Sequence, residues 1–320
     1  MAFLAIFNPI SGAGRARAKA AALAETARRR GVELELRPTE REPPETWLRP
    51  FLSGGSYRAI VVIGGDGAVR LVATEAALAG VPIVHCPEGN ENLFAREFGM
   101  TNDPDGIIDL LERGRRREID LIDVAVAGRP VETAVLMASF GFDAEVVHDL
   151  AARRTGSVSN LSYVAPMLRA ALRLSLPTVT AVLDGRCIAR RIEGLVIVAN
   201  SRQYAIRVDP ARRAVMDDGR LDVAIMPCRS VVGLLGWLTR ARMGLHLRSR
   251  RLIYGQGRKL ELHLDPARRW QVDGDPPHRP DPIERADFSV RPGALSVLEL
   301  DSSRRNSAET TESPGFDRRE

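Results

Sequence analysis

Lysine is almost missing from this chain. Of 46 basic residues only Lys19 and Lys259 are lysines. A phosphate grip of the GxxxxGK[ST] kind is therefore excluded, and any phosphate bound here must be held by backbone amides, arginine or a metal. Cysteine is scarce as well. Cys86, Cys187 and Cys228 are odd in number, widely spaced and set in apolar sequence, which excludes a disulfide framework and a cysteine metal site. That pattern predicts three reduced, buried thiols in a cytoplasmic protein. Aromatics make up 5% of the chain and the basic residues are dispersed, which argues against nucleic acid as a partner. No apolar run approaches the roughly 20 residues that span a bilayer. The apolar stretch at residues 2–7 has no basic flank and stops at Asn8-Pro9, so it reads as a strand and not as a secretion signal.

What is present points to two domains, since 320 residues exceed one ordinary core. In the first half, apolar runs at residues 2–7, 58–63 and 82–86 each lead into a turn and then a helical pattern. Strand, glycine turn, helix, repeated three times, predicts a parallel sheet with helices on its faces. From about residue 120 strand-like stretches dominate, at 119–127, 131–139, 178–183, 195–199, 221–226 and 259–264. They predict a mainly antiparallel β domain with helices inserted around 143–175 and 230–247. A last apolar run at 294–300 suits either domain. The polar, charged tail beyond residue 301 predicts disorder.

The three turns carry the chemistry: Asn8-Pro9-Ile10-Ser11-Gly12-Ala13-Gly14, Gly64-Gly65-Asp66-Gly67 and Pro87-Glu88-Gly89-Asn90-Glu91-Asn92. In a parallel sheet they lie along one edge, where free amides and helix N-termini favour an anion and glycine lets the backbone approach it. A single such turn is often a packing device. Three at one edge favour a nucleotide phosphate site. The first turn does not complete a dinucleotide fingerprint, because Arg17 stands where GxGxxG needs its third glycine.

These residues resemble the diacylglycerol kinase and sphingosine kinase family. Asn8-Pro9-Ile10-Ser11-Gly12 is similar to its NPxSG, Gly64 to Ala68 to its GGDGT, and Pro87 to Arg96 to its PxGTxNDFAR. Gly141-Phe142-Asp143-Ala144, the run Asp217-Asp218-Gly219-Arg220-Leu221-Asp222, and Asp273-Gly274-Asp275 follow in the family's order. The resemblance implies an ATP-dependent lipid kinase with an α/β nucleotide-binding domain over 1–122 and a β-sandwich lipid-substrate domain over 123–293. Residues 294–301 would return to the first domain and 302–320 would form the disordered tail. It implies nucleotide contacts from Asn8, Ser11, Gly12, Thr39, Gly64, Gly65, Asp66, Gly67, Ala68, Asn90 and Asn92. Asp66 would act through magnesium or substrate positioning, Asp275 would be the base on the lipid hydroxyl, and Asp218 with nearby carbonyls would be a structural magnesium ligand. For Asp217 and Asp222 a plain turn is the preferred reading.

The chain departs from the family pattern at four places. Ala68 and Asn90 replace threonines, Asp275 replaces a glutamate, and Ser201 to Ile206 stand where a glycine cluster is usual. Losing a hydroxyl bond to a charged phosphate costs about 1.5–3 kcal/mol. Two alternatives stand beside the kinase: a catalytically weakened nucleotide- or lipid-binding homologue, and an NAD kinase-like enzyme supported by GGDG and the Asn90-Glu91-Asn92 turn.

A lipid acceptor requires a membrane surface. Between Asp222 and Glu261 there is no acidic residue, while Arg229, Arg240, Arg242, Arg248, Arg250, Arg251, Arg258 and Lys259 are basic among apolar neighbours such as Val232, Leu235 and Trp237. That suits peripheral binding at the inner membrane face; a core helix with solvated arginines is the plainer alternative. The stretch 150–183, with Leu161, Tyr163, Met167, Leu168, Leu172 and Leu174, suits an acyl-chain pocket. No stable protein partner is indicated, and a homodimer is compatible with the sequence.

Overall fold

Four short strands, three of them buried on both faces, set the first layer. The computed structural model describes residues 2–9, 11–40, 42–152 and 176–300. Strands β1 (Phe3–Phe7), β2 (Leu34–Pro38), β3 (Ile60–Gly64) and β4 (Ile83–Pro87) are interleaved with helices α1 (Arg15–Arg29), α2 (Pro44–Gly54) and α3 (Asp66–Ala79). Helices α4 (Leu93–Phe98) and α5 (Pro104–Arg113) follow. The strands pair in parallel in the order β2-β1-β3-β4. Because successive side chains point to opposite faces, Leu4, Ile6, Ile60 and Val62 meet Trp47, Leu48, Val69 and Val72 of α2 and α3. Phe3, Ala5, Val61 and Ile63 meet Ala20 and Leu23 of α1 and Ile107 and Ile108 of α5 on the other face. Helix α2 has no counterpart in the sequence reading; Pro44 in its first turn and Pro50 inside it obscure the helical pattern.

The second half is antiparallel. It comprises β5 (Arg115–Val126), β6 (Arg129–Ala134), β7 (Met137–Phe140), α6 (Phe142–Ala152), β8 (Thr178–Leu183), β9 (Arg186–Ala199) and β10 (Leu221–Pro227). Helix α7 (Val231–Arg242) and strands β11 (Ile253–Gly257), β12 (Lys259–Arg268), β13 (Trp270–Val272) and β14 (Ile283–Glu299) complete it. Strand β9 serves both layers of the sandwich: its first half pairs with β8, and its second with β7 and β10. Phe140, Val196, Val198, Val223, Leu262, Trp270 and Phe288 fill the space between.

Strand β14 joins the halves. It pairs with β12 through residues 283–289 and with β5 along most of its length, and Val297 then pairs in parallel with Ile83 of β4. The run at 294–300 is thus the end of one 17-residue strand with a register shift between Arg291 and Leu295, where Pro292 and Gly293 interrupt the alternation. Two further readings are corrected. The single strand expected over 131–139 is broken at Val135 and Leu136, whose amides turn to a buried carboxylate instead of a ladder. Cys187 is exposed, because it sits beside the β8–β9 turn; Cys86 and Cys228 are buried. The helix expected beyond residue 152, the acyl-pocket residues Leu161, Tyr163, Met167, Leu168, Leu172 and Leu174, and the tail 302–320 lie outside the described residues.

Candidate active site

The carboxyl ends of β1, β3 and β4 lie side by side, so the three bends that follow them converge. Glu88 donates its amide to the Gly64 carbonyl at 2.7 Å, and Arg15 behind the first bend pairs with the Glu88 carboxylate at 3.4 Å. The second and third bends touch through bare backbone. A Cβ on Gly65 would lie 3.3 Å from the Gly89 Cα, and one on Gly89 would lie 2.7 Å from the Gly65 Cα and 2.9 Å from Asn92 Oδ1. Gly89→Ala must therefore push two main chains apart, and unfolding in urea should show a loss of about 1–3 kcal/mol. A wild-type midpoint for that variant would show that the contact is not tight.

Ser11 closes the first bend by donating its amide to the Asn8 carbonyl at 3.0 Å, and its hydroxyl lies beside Gly64. Gly12 belongs to the single 3₁₀ turn that leads into α1. Thr39 follows β2 on the same edge, donating its amide to Phe7 at 2.9 Å. The Ala68 methyl lies against the Gly64 Cα. Asn90 is exposed at the tip of the third bend. Asn92 adopts a left-handed φ of 47° and uses its side chain in both directions, accepting from the Gly89 amide and donating to the Gly89 carbonyl, each at 2.8 Å. Its side chain closes the bend.

Asp66 holds the third bend to the second. Its two carboxylate oxygens accept the amides of Leu93 and Phe94, both at 2.9 Å, at the N-terminus of α4. Burial pushes its carboxyl above the usual range against those amides, and the charge of Asp275 adds to the push. Each oxygen keeps a second lone pair for another partner.

Asp275 comes from the other half. Val272 and Asp275 exchange two backbone hydrogen bonds of 3.0 Å around Asp273-Gly274, whose φ values are 50° and 85°. This is the two-residue hairpin that an Asp-Gly pair favours. The tip is locked from below: the buried Asp273 carboxylate accepts the amides of Val135, Leu136 and Met137 at 2.8–2.9 Å. Burial still raises its pKa to about 6. Gln271 accepts the Gly274 amide at 2.7 Å. So held, Asp275 Oδ2 occupies the space that a Cβ on Gly67 would need. The side chain is one methylene shorter than the family's glutamate, and here the carboxylate sits directly on the α3 backbone.

Sequence reasoning missed the groups that brace this junction. Arg70, one turn beyond Asp66 on α3, pairs with the buried Glu132 at 3.2 Å and reaches the Pro276 carbonyl at 3.5 Å. His278 donates its amide and a ring nitrogen to the same Glu132 carboxylate. Burial opposes ionisation of Glu132, but His278 and Arg70 outweigh it and hold that carboxyl below its usual range. An arginine four residues after the GGDG aspartate was the available signal. On the far side, Arg96 of α4 donates to Gln203 at 2.7 Å and to the Tyr204 carbonyl at 2.8 Å, and Ser201 donates to Glu97 at 3.1 Å. This segment replaces the expected glycine cluster, and Ile206 and Arg207 carry left-handed φ values of 55° and 54°.

Asp218 stands apart from these bends. It is exposed in the turn before β10, with one oxygen accepting the Arg220 amide at 3.0 Å. Among the described residues no three His, Cys, Asp or Glu side chains are grouped to hold a metal, so a cation at Asp218 would need carbonyl oxygens as further ligands. Asp217 pairs with Arg117 at 2.8 Å, and Asp222 is fully buried against Tyr254 and Gln256, with its pKa raised by burial to about 6.

A parallel α/β unit joined to an antiparallel β-sandwich is a fold that occurs in solved structures. The crystal structure of a diacylglycerol kinase from Bacillus anthracis shares it with a TM-score of 0.65 at 16% identity, over 94% of this chain and 97% of that one. Yeast NADH kinase complexed with NADH shares it with a TM-score of 0.51 at 10% identity, over 99% and 90%. At those identities the likeness is one of fold. Residues 2–124 match the diacylglycerol kinase catalytic domain family, and residues 136–299 match the YegS C-terminal NAD kinase beta sandwich-like domain. The chain belongs to the diacylglycerol kinase and YegS-like lipid kinase family. It is 28% identical to the diacylglycerol kinase of Mycobacterium tuberculosis over 296 residues, covering 92% of this chain and 94% of that one. It is 30% identical to a protein of Pseudomonas aeruginosa bearing the name YegS-like lipid kinase over 302 residues, covering 89% and 90%. These relatives do not favour the NAD kinase-like alternative.

Proposed function

We propose that the protein transfers the γ-phosphoryl group of ATP to a lipid hydroxyl, diacylglycerol-like or sphingoid, at the cytoplasmic face of a membrane. The observation that carries this is the Asp275 carboxylate seated on Gly67, at the place where the three amide-rich bends meet. Those bends present backbone donors to an anion, in a sequence that has no GxxxxGK[ST] lysine. Nucleotide contacts then fall to Asn8, Ser11, Gly12, Thr39, Gly64 to Ala68 and the Asn90–Asn92 bend.

The residues also fit a divalent cation such as magnesium. Asp66 and Asp275 are close enough for one charge to raise the other's pKa, and magnesium carried by nucleotide phosphates needs only one or two protein carboxylates. Such an ion would neutralise charge building on the phosphates. The chain's own work is positional. The bends hold the donor, and the hairpin tip holds Asp275 where a lipid hydroxyl would arrive. The hydroxyl oxygen forms its bond to the γ-phosphorus as the bond to the leaving ADP oxygen breaks, and the hydroxyl proton passes to Asp275.

The test is radiolabelled ATP with purified protein and, separately, diacylglycerol, a sphingoid base, ceramide and a polyprenol. Label should appear in at least one lipid. Label in none of them, or only in a soluble dinucleotide, would overturn the proposal.

A further inference from the structure

Helix α7 is apolar on both faces, and the described residues cover only one of them. Leu234, Trp237 and Ala241 are buried in the core, and the Trp237 indole donates to the Pro227 carbonyl at 2.8 Å. On the outer side Val232 is 80% exposed, Leu235 55% and Met243, just past the helix, 65%. Val232 and Leu235 are three residues apart and Met243 is eight further on, about two helical turns, which places them on one stripe, where a helix packed on a fold ordinarily turns polar residues to water. Leu245, two residues beyond Met243, is exposed as well.

The rim of this stripe has one sign of charge. Arg240, Arg242, Arg248, Arg250 and Arg251 are all exposed, and none has a carboxylate partner among the described residues. No acidic residue occurs between Asp222 and Glu261. A second copy of the same face would bring arginine against arginine, which disfavours self-association. An anionic, apolar-cored surface satisfies both features at once.

The stripe is also tied to the candidate site. His246, after α7, has a ring nitrogen 3.0 Å from the Pro210 carbonyl, and Asp209 accepts the Tyr204 amide at 3.0 Å. Tyr204 is in turn gripped by Arg96 of α4.

We infer that the outer face of α7 docks on an anionic bilayer, with Val232, Leu235 and Met243 entering the apolar boundary and Arg240, Arg242 and Arg248 meeting lipid phosphates. The inference deepens the lipid kinase reading by naming the face that meets the acceptor's membrane, and it rests on that reading for the acceptor alone.

Flotation with phosphatidylcholine vesicles and with phosphatidylcholine–phosphatidylglycerol vesicles tests it, using wild type, Leu235→Asp, and the triple variant Arg240→Glu, Arg242→Glu, Arg248→Glu. Wild type should float with the anionic vesicles only, and less at high salt. Each variant should lose about tenfold or more of the bound fraction, with unchanged thermal melting because the altered side chains are exposed. Flotation unchanged in the variants would overturn the inference. So would a wild type that ignores both vesicles while Leu235→Asp converts a dimer to a monomer. Phosphoryl transfer to an acceptor dispersed in detergent keeps the two proposals separate. Variants that label it but do not float support the docking face, and a wild type that floats but labels nothing refutes the kinase alone.

Discussion

Asp275→Asn should lower phosphoryl transfer by about 10²- to 10⁴-fold, the range expected for removal of a general base. The substitution is isosteric and leaves in place the bonds that Asp273, Gln271 and the main chain make to the hairpin tip. Thermal melting and nucleotide binding should therefore stay near wild type, while kcat falls. Asp275→Glu restores the family's side chain but should not restore or raise activity. Its extra methylene has to find room where Oδ2 already rests on Gly67, and a misplacement on the order of 1 Å costs about a hundredfold. Full turnover by Asp275→Asn would remove Asp275 from the chemistry and leave the hydroxyl proton to another acceptor.

Asp66→Ala should be the most damaging change to stability near the site. It strips two amides at the start of α4 of their carboxylate acceptor. Hydrogen bonds to a charged group contribute about 1.5–3 kcal/mol each, and part of that is returned by no longer desolvating the carboxylate, so a net loss of about 2–4 kcal/mol is expected in urea unfolding. Asp66→Asn keeps one acceptor and should lose about half as much. Because α4 also clamps residues 201–204 through Arg96 and Glu97, amide exchange should quicken there in Asp66→Ala. A loss under about 0.5 kcal/mol, the scale of an ordinary surface substitution, would show that Asp66 does not anchor α4.

The two expectations concern neighbouring carboxylates with different duties. Asp66 and Asp275 lie close together, yet one is committed to amides of its own domain and the other crosses from the sandwich. A kinetic defect in Asp66→Asn that exceeds its stability loss would point to a further role at the cation.

Some of this was readable along the chain. The three strand–bend–helix units were legible because each bend is local: its glycines, its strand and the start of its helix lie within a dozen residues, and parallel strands force their carboxyl ends to one edge. The Asp-Gly pair at 273–274 likewise announces a tight hairpin wherever it occurs. Glycine at 65 and 89 could be read as permissive, but not that the two would meet.

Tertiary structure decided the rest. Nothing local says that Asp273 will break an apolar run 137 residues earlier by drawing in the amides of Leu136 and its neighbours, nor that Arg70 and His278 will meet at the buried Glu132 carboxylate. Nor does the apolar pattern of α7 say which of its two greasy faces is covered. Local turns and strand periodicity are set by short-range sterics and patterning, which a sequence displays directly. Contacts between distant residues, and the burial that follows from them, are settled only when the long strand β14 brings the two halves together.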